Sequence, residues 1–166
     1  GQFGTEVDTV FNAEVANKSV SFPRVSPDGQ FLLYTEAEYG GFSIWHKDAD
    51  LYMLNIHTKE SNPLSLANSN DVESYHSWSS NSKWIVFSSR RVNGLYTMPY
   101  FAYIHPNGQA DKPILLPQKD PDFYESFMKS YNIPEFIKGK VHLDSYKLSQ
   151  FAKTDKGIDV TFSLKK

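Results

Sequence analysis

The chain has 166 residues, 40% of them hydrophobic and 22% charged, with a formal net charge of −2. A chain of this size and composition can bury one core, and its charge gives no reason to expect nucleic acid or an anionic membrane as a partner. It contains no cysteine, which excludes disulfides, thiolate metal sites and cysteine nucleophiles. No apolar run has the length that crosses a bilayer, so we expect no membrane span.

Residues 5–20 precede the first clear pattern. Apolar side chains occur here among polar ones, at Val7, Val10, Phe11 and Val15. This segment predicts a lead-in strand over about residues 6–13, and an irregular arm is the alternative.

The strongest pattern is a repeat that begins at Ser21. The stretch SFPRVSPDGQFLLYT, residues 21–35, returns in its apolar skeleton as SYHSWSSNSKWIVFS, residues 74–88. A fixed repeat of roughly 40 to 50 residues is typical of arrays and propellers. Ser-Pro-Asp-Gly is turn chemistry, because Pro presets φ and Gly accepts a positive φ. The apolar run after each turn suits a buried strand, so each unit is predicted to open with two antiparallel strands.

The residues after each strand pair predict two further strands. In the first unit, residues 51–56 alternate as a third strand, and residues 62–66 predict an edge strand that can admit Pro63. In the second unit, residues 103–104 and 114–116 align with these strands after a shorter connection. The sequence therefore predicts an all-β fold with two four-stranded antiparallel blades of the β-propeller type, over residues 21–66 and 74–118.

Residues 119–166 follow a different pattern. Asp120-Pro121-Asp122 can begin a helix, and apolar residues then recur at helical spacing: Phe123, Tyr124, Phe127, Met128 and Tyr131. This stripe is more typical of a packing face than of a ligand site. Asn132-Ile133-Pro134 ends the predicted helix, residues 141–151 are of uncertain type, and the alternation over residues 158–164 predicts a final strand.

The first repeat resembles the TolB-like β-propeller repeat, whose pattern is apolar-x-Pro-x-apolar-Ser-Pro-Asp-Gly. The residues that match in place are Phe22, Pro23, Val25, Ser26, Pro27, Asp28 and Gly29. The second copy departs from Pro-Asp-Gly at residues 80–82. The resemblance implies a propeller fold and a periplasmic or cell-envelope location, but it implies no reaction. Propellers have about four to eight blades, so two blades imply a segment of a longer parent protein or a ring completed by self-association.

No motif for catalysis stands out. The G-x-S-x-G elbow is absent, and the serines near His76 are better explained by the repeat than by a nucleophile. We therefore expect no catalytic residue, no cofactor and no enzymatic activity in this chain. Asp48 and Asp50 could offer oxygen ligands to a cation, but the remaining ligands of a calcium loop are missing, so this metal hypothesis is weak.

The connection after the second strand is the main functional candidate, because propellers carry recognition on loops and aromatic side chains there give large contact areas. Its candidate ligand-binding residues are Tyr39, Phe42, Trp45 and His46. The equivalent loop of the second unit contains Arg90 and Arg91, which could bind a carboxylate or phosphate. The alternatives are that Trp45 packs back onto a blade and that the two arginines are solvated.

Two functions are consistent with these features. The first is a non-enzymatic module that binds a protein partner, or another ligand, through its loops. The alternative is a carbohydrate-binding or hydrolase-associated propeller whose catalytic domain lies outside this chain, with the loop aromatics stacking on a glycan.

Overall fold

A computed structural model describes residues 4–154 of the chain. It divides the chain into two compact units, Gly1–Phe136 and Ile137–Lys166. The first unit contains two four-stranded antiparallel sheets. The prediction of an all-β architecture with two such sheets is thus confirmed.

Each sheet is formed by four strands that are consecutive in the sequence and adjacent in space. The first sheet consists of β1 Ser19–Val25, β2 Phe31–Ala37, β3 Asp50–Asn55 and β4 Ser61–Pro63. The second sheet consists of β5 Glu73–Trp78, β6 Trp84–Ser89, β7 Met98–Tyr103 and β8 Ile114–Leu115. The outer strands β4 and β8 are shorter than the sequence pattern predicts.

The turns between the first two strands of each sheet have the same geometry. Asp28 Oδ1 accepts hydrogen bonds from Ser26 Oγ at 2.6 Å and from the Gln30 amide at 3.1 Å. These bonds hold the pKa of Asp28 below its usual value. Asn81 Oδ1 accepts the equivalent bonds in the second turn, at 2.7 and 3.1 Å. A side-chain oxygen at this position is therefore sufficient for the turn, and Pro-Asp-Gly is one way to supply it.

The main core lies between the two sheets. Alternate residues of β2 and β6 point into it, and Leu33, Ile85 and Phe87 have no exposed surface. Burial of each such side chain contributes about 1.5–3 kcal/mol. This shared core holds the two sheets against each other, because both contribute side chains to it.

The expected lead-in strand over residues 6–13 does not form. The segment is irregular and leads into a short helix, α1 Ala13–Ala16, which Asn12 caps by accepting a hydrogen bond from the Val15 amide at 3.1 Å. The Phe11 ring packs on Tyr34 of β2, with centroids 5.7 Å apart. The irregular arm was the correct alternative. The valines of this segment do not alternate as in a strand, and the segment is held instead by the cap of α1 and by the contact of Phe11 with Tyr34.

The aromatic stripe after residue 119 packs as expected, but its helix is short. Helix α2 spans Phe123–Ser126 and ends at Phe127, which has extended dihedral angles. The ring of Phe127 stacks near Phe123 and Tyr131, with centroids 4.9 and 5.2 Å away. The amide of Tyr131 instead donates to the Thr97 carbonyl at 2.9 Å. The Tyr131 amide thus bonds to the residue that precedes β7 and not to the turn of a longer helix.

In the second unit, helix α3 spans Ser145–Thr154. Asp144 precedes it and accepts hydrogen bonds from the amides of Tyr146 and Lys147 at 3.0 and 3.2 Å, which is N-cap geometry. The residues of uncertain type, 141–151, are thus largely helical. The predicted strand over residues 158–164 lies outside the described residues.

Candidate functional site

A cavity of about 350 Å³ lies at one end of the sheets, where several connections meet. Such a volume is at the lower end of the range for small-molecule sites, which is about 300–1,000 Å³. Its walls come from the 39–50 loop, from β5, from the 90–97 loop and from the segment after α2. Two of the side chains singled out in the sequence, Trp45 and Arg90, face each other here.

Trp45 is held at the cavity by a short 3₁₀ helix, Ser43–Trp45. Ser43 and Ile44 are buried beneath it, and Ile44 joins a small cluster of apolar side chains with Val72. The indole itself is 69% exposed. A turn anchored by buried side chains thus presents a large aromatic surface to solvent beside the cavity.

Arg90 follows directly after β6 and is 93% buried, with only 7% of its surface exposed. Its guanidinium carbon lies 5.3 Å from the centroid of the Trp45 ring, which is cation–π geometry. Its Nε is 3.4 Å from Asp71 Oδ1. That contact is not a hydrogen bond, and Nε is buried without an acceptor among the described residues.

The segment after α2 closes the far side of the cavity. The amide of Thr97 donates to Ser130 Oγ at 3.3 Å, and Thr97 Oγ1 donates to the Tyr131 carbonyl. Ser88 Oγ donates to the Asn132 carbonyl at 2.9 Å. These bonds tie an irregular segment to β6 and to the residue that precedes β7, so the rim at 130–132 is a fixed part of the site.

The other predicted residues lie away from this pair. Tyr39 and Phe42 are exposed and do not line the cavity. The His46 ring packs against Gly40, whose φ is +98°. Arg91 Nη2 is 2.8 Å from Glu73 Oε1, and its guanidinium lies 4.6 Å from the Tyr100 ring centroid. The guanidinium of Arg91 therefore binds Glu73 and Tyr100 inside the fold, whereas Arg90 lines the cavity.

Sequence reasoning missed the residues that complete the cavity, namely Tyr75, Leu95, Thr97, Ser130, Tyr131 and Asn132. Tyr75 had a signal in the sequence, because it stands at the repeat position of Phe22. The structure adds that both residues have a positive φ, 51° for Tyr75 and 54° for Phe22. Of the rim residues, Tyr131 belonged to the aromatic stripe that was predicted to pack, whereas Ser130 and Asn132 had no signal, since an irregular segment leaves no periodic pattern.

The weak metal hypothesis gains no further ligands. Among residues 4–154, no group of three or more His, Cys, Asp or Glu side chains is arranged to hold an ion. Asp48 Oδ2 accepts a hydrogen bond from the Glu38 amide at 2.6 Å. Burial raises the pKa of Asp50 to about 6, and the charges of Glu73, Asp48 and Glu36 add to the effect. The negative charge of Asp50 is thus disfavoured both by burial and by the neighbouring carboxylates.

His76 lies inside the fold. It is 1% exposed, and its Nε2 donates to the Leu33 carbonyl at 3.2 Å. Its Nδ1 is 3.5 Å from Thr35 Oγ1. Burial lowers the pKa of His76 to about 4, so the ring is neutral at pH 7. These contacts join the first strand of the second sheet to β2 of the first.

Comparisons with known proteins add no assignment: no protein-family model matches the chain, and none of the curated proteins matches it significantly. Within the described part of the chain, no helix combines the length and the apolar character that crossing a membrane requires.

Proposed function

We propose that this chain is a non-enzymatic binding module that recognises a partner protein through the cavity at Trp45 and Arg90. The observation that carries the proposal is the pairing of an exposed, anchored indole with a buried guanidinium at one cavity. Tryptophan and arginine are the residue types most enriched among binding hot spots. The other walls are also contributed by loops, which is where rigid scaffolds usually carry recognition.

We further propose that the two sheets are TolB-like propeller blades. Three features support this: the consecutive strand order in both sheets, the identical turn hydrogen bonds, and the packing of both sheets through one core. A ring would then be completed by the remaining blades of a longer parent or by self-association. Light scattering on the purified chain tests the second route, because a monomer at all concentrations contradicts self-association.

The location that we propose, the periplasm or cell envelope, is supported by the sequence resemblance alone. Fractionation of the native cells with an antibody against this chain measures it. Recovery in the soluble cytosolic fraction would contradict this part of the proposal without affecting the binding site.

The binding function is tested by selection from a random peptide display library against the folded chain. We expect enriched peptides that bind the wild type and lose at least tenfold in affinity with Trp45→Ala. Phe42→Ala is the matched control, because Phe42 is an equally exposed aromatic residue of the same loop that does not line the cavity. Equal loss with both variants, or binding that survives Trp45→Ala, would contradict the proposal.

The carbohydrate-binding alternative has one supporting observation, the exposed face of the Trp45 indole. Sugar rings stack on such faces through their apolar C–H edges. A glycan array probed with the same variants separates the two functions. Glycan binding that depends on Trp45, with no Trp45-dependent peptide, would favour the alternative.

A further inference from the structure

From the surroundings of Arg90, we infer that the cavity binds a carboxylate group carried by a peptide of the partner protein. The inference rests on the proposed function and narrows it to one ligand chemistry. Its basis is an arginine that is nine-tenths buried, lines a cavity and lacks a hydrogen-bond acceptor for its Nε in the described part of the chain.

Burying the Nε of a guanidinium without a hydrogen-bond acceptor is costly, because water no longer satisfies that donor. Asp71 offsets the charge from one side, at 3.4 Å from Nε, but Asp71 Oδ1 already accepts a hydrogen bond from the Val72 amide at 2.8 Å. A planar guanidinium with unused donors matches a carboxylate, which accepts two parallel hydrogen bonds. The cavity side of Arg90 is where such a group can approach.

The charge of the walls also favours an anion. Arg90 is the single charged residue among those that line the cavity, and no carboxylate lines it. Glu73 is bonded to Arg91 and has no exposed surface, and the acidic side chains of Asp48 and Asp50 in the 39–50 loop do not line the cavity. A carboxylate that enters therefore meets one cation and no lining anion.

The walls favour a peptide over a sugar acid. Trp45, Tyr75 and Tyr131 provide aromatic surface, and Ile44 and Leu95 provide aliphatic surface. The polar side chains of Thr97, Ser130 and Asn132 also line the cavity. The hydroxyl of Thr97 already donates to the Tyr131 carbonyl, and Ser130 Oγ accepts a hydrogen bond from the Thr97 amide. A sugar ring needs several hydrogen-bond partners for its hydroxyls, whereas an apolar peptide side chain next to a carboxylate needs contact area and Arg90.

The test uses three small probes: N-acetyl-phenylalanine, its uncharged amide, and glucuronate. Binding is followed by the NMR signal of the Trp45 indole N–H, assigned with Trp45→Phe among the three tryptophans of the chain. We expect N-acetyl-phenylalanine to shift this signal and to bind at least tenfold more tightly than its amide. Glucuronate should bind more weakly than N-acetyl-phenylalanine.

The double variant Arg90→Gln/Asp71→Asn serves as the charge control, because it removes the cation without leaving Asp71 buried and unpaired. In this variant, the ratio of the affinity for N-acetyl-phenylalanine to the affinity for its amide should fall to about one. A preference for the acid that remains tenfold would overturn the inference, since Arg90 would then not be the group that binds the carboxylate.

Failure of the inference and failure of the proposed function give different results. Equal binding of the acid and the amide at Trp45 overturns the carboxylate but keeps the cavity as a binding site. Tighter binding of glucuronate overturns the peptide source. If none of the probes shifts the Trp45 signal, the inference is overturned, and the peptide selection then decides separately whether the proposed function stands.

Discussion

The rings of Phe22 and Tyr75 meet edge to face, with centroids 5.0 Å apart and planes at 76°. Both residues have a positive φ, 54° and 51°, and each lies inside a bulge of the first strand of its sheet. A positive φ is rare for bulky residues and costs about 1–2 kcal/mol. Its occurrence at the same position in both units shows that the bulge belongs to the repeat, and the ring contact joins the units.

This contact should appear as a coupling energy in a double-mutant cycle of Phe22→Leu and Tyr75→Leu. We expect a coupling of about 0.5–1.5 kcal/mol in the free energy of unfolding, because edge-to-face rings interact beyond their buried area. Urea denaturation of the four proteins measures it. A control cycle pairs Phe22→Leu with Phe127→Leu, whose ring contacts Phe123 and Tyr131. Additive effects in the first cycle would contradict the prediction.

The turns show what the sequence could predict. Ser-Pro-Asp-Gly identified the first turn, and the retained apolar skeleton identified the second. The sequence did not show that Ser82 takes a φ of 60° where Gly29 takes 74°. The Asn81 side chain supplies the same hydrogen bonds as Asp28. Local turn chemistry was thus predictable, while the backbone strain at Ser82 required coordinates.

Gly29 provides a direct test of that strain. Its φ is +74°, and a Cβ added there would meet nothing within 4 Å. Gly29→Ala should therefore destabilise the fold by about 1 kcal/mol through backbone conformation alone. Gly41→Ala is the matched control, because it also has open space but no positive φ. Thermal unfolding compares the two, and equal effects would show that the φ at Gly29 is not the cause.

The candidate site was predictable only in part. Trp45 and Arg90 could be chosen because loops of a repeat fold meet at one end, and large aromatic or cationic side chains stand out in them. The sequence could not separate Arg90 from Arg91. One faces the cavity and the other pairs with Glu73, a difference set by contacts between residues far apart in the chain.

Glu73 is the centre of the buried polar group beside the site. It has no exposed surface and accepts hydrogen bonds from Ser69 Oγ at 2.7 Å, Ser89 Oγ at 2.7 Å and Arg91 Nη2 at 2.8 Å. Glu73→Gln places an amide among these donors and leaves Arg91 without its charge partner. We expect a loss of about 3–5 kcal/mol in unfolding free energy.

Glu60→Gln is the control for this substitution, because Glu60 is exposed and forms no ion pair among residues 4–154. Its effect should stay within about 0.5 kcal/mol. Both values come from urea denaturation at pH 7. If Glu73→Gln lowers the free energy of unfolding by less than about 1 kcal/mol, the hydrogen bonds around Glu73 do not act as a cooperative network.

His76 predicts a loss of stability in acid. Burial lowers its pKa from 6.5 to about 4, so the unfolded state binds more protons than the folded state between these values. The contribution of His76 to stability is therefore full above pH 6.5 and falls as the pH drops towards 4, with a slope of up to about 1.4 kcal/mol per pH unit. The slope of the unfolding free energy against pH should be lower by this amount in His76→Gln than in His57→Gln, which changes an exposed turn residue and keeps all the other titrating groups. Urea unfolding at half-unit pH steps measures it, and equal slopes in both variants would refute the assignment.

Asp50 predicts the opposite trend over nearly the same range. Its pKa is raised from 3.8 to about 6, first by burial and then by neighbouring carboxylates, and Glu36 is its direct partner across the β2–β3 pair. The folded state then holds the proton more tightly, so this contribution to stability is present below pH 4 and lost as the pH rises through 6. Like charges directly opposite on neighbouring strands also repel.

Asp50→Asn should therefore stabilise the fold at pH 7, by on the order of 1 kcal/mol once solvent screening is considered. The gain over the wild type should vanish near pH 4, where Asp50 is protonated in the folded state. Asp122→Asn is the matched control, because Asp122 is exposed and is not among the charges that raise the pKa of Asp50, so no gain is expected. If Asp50→Asn is not more stable than the wild type at pH 7, the repulsion among these carboxylates does not limit stability.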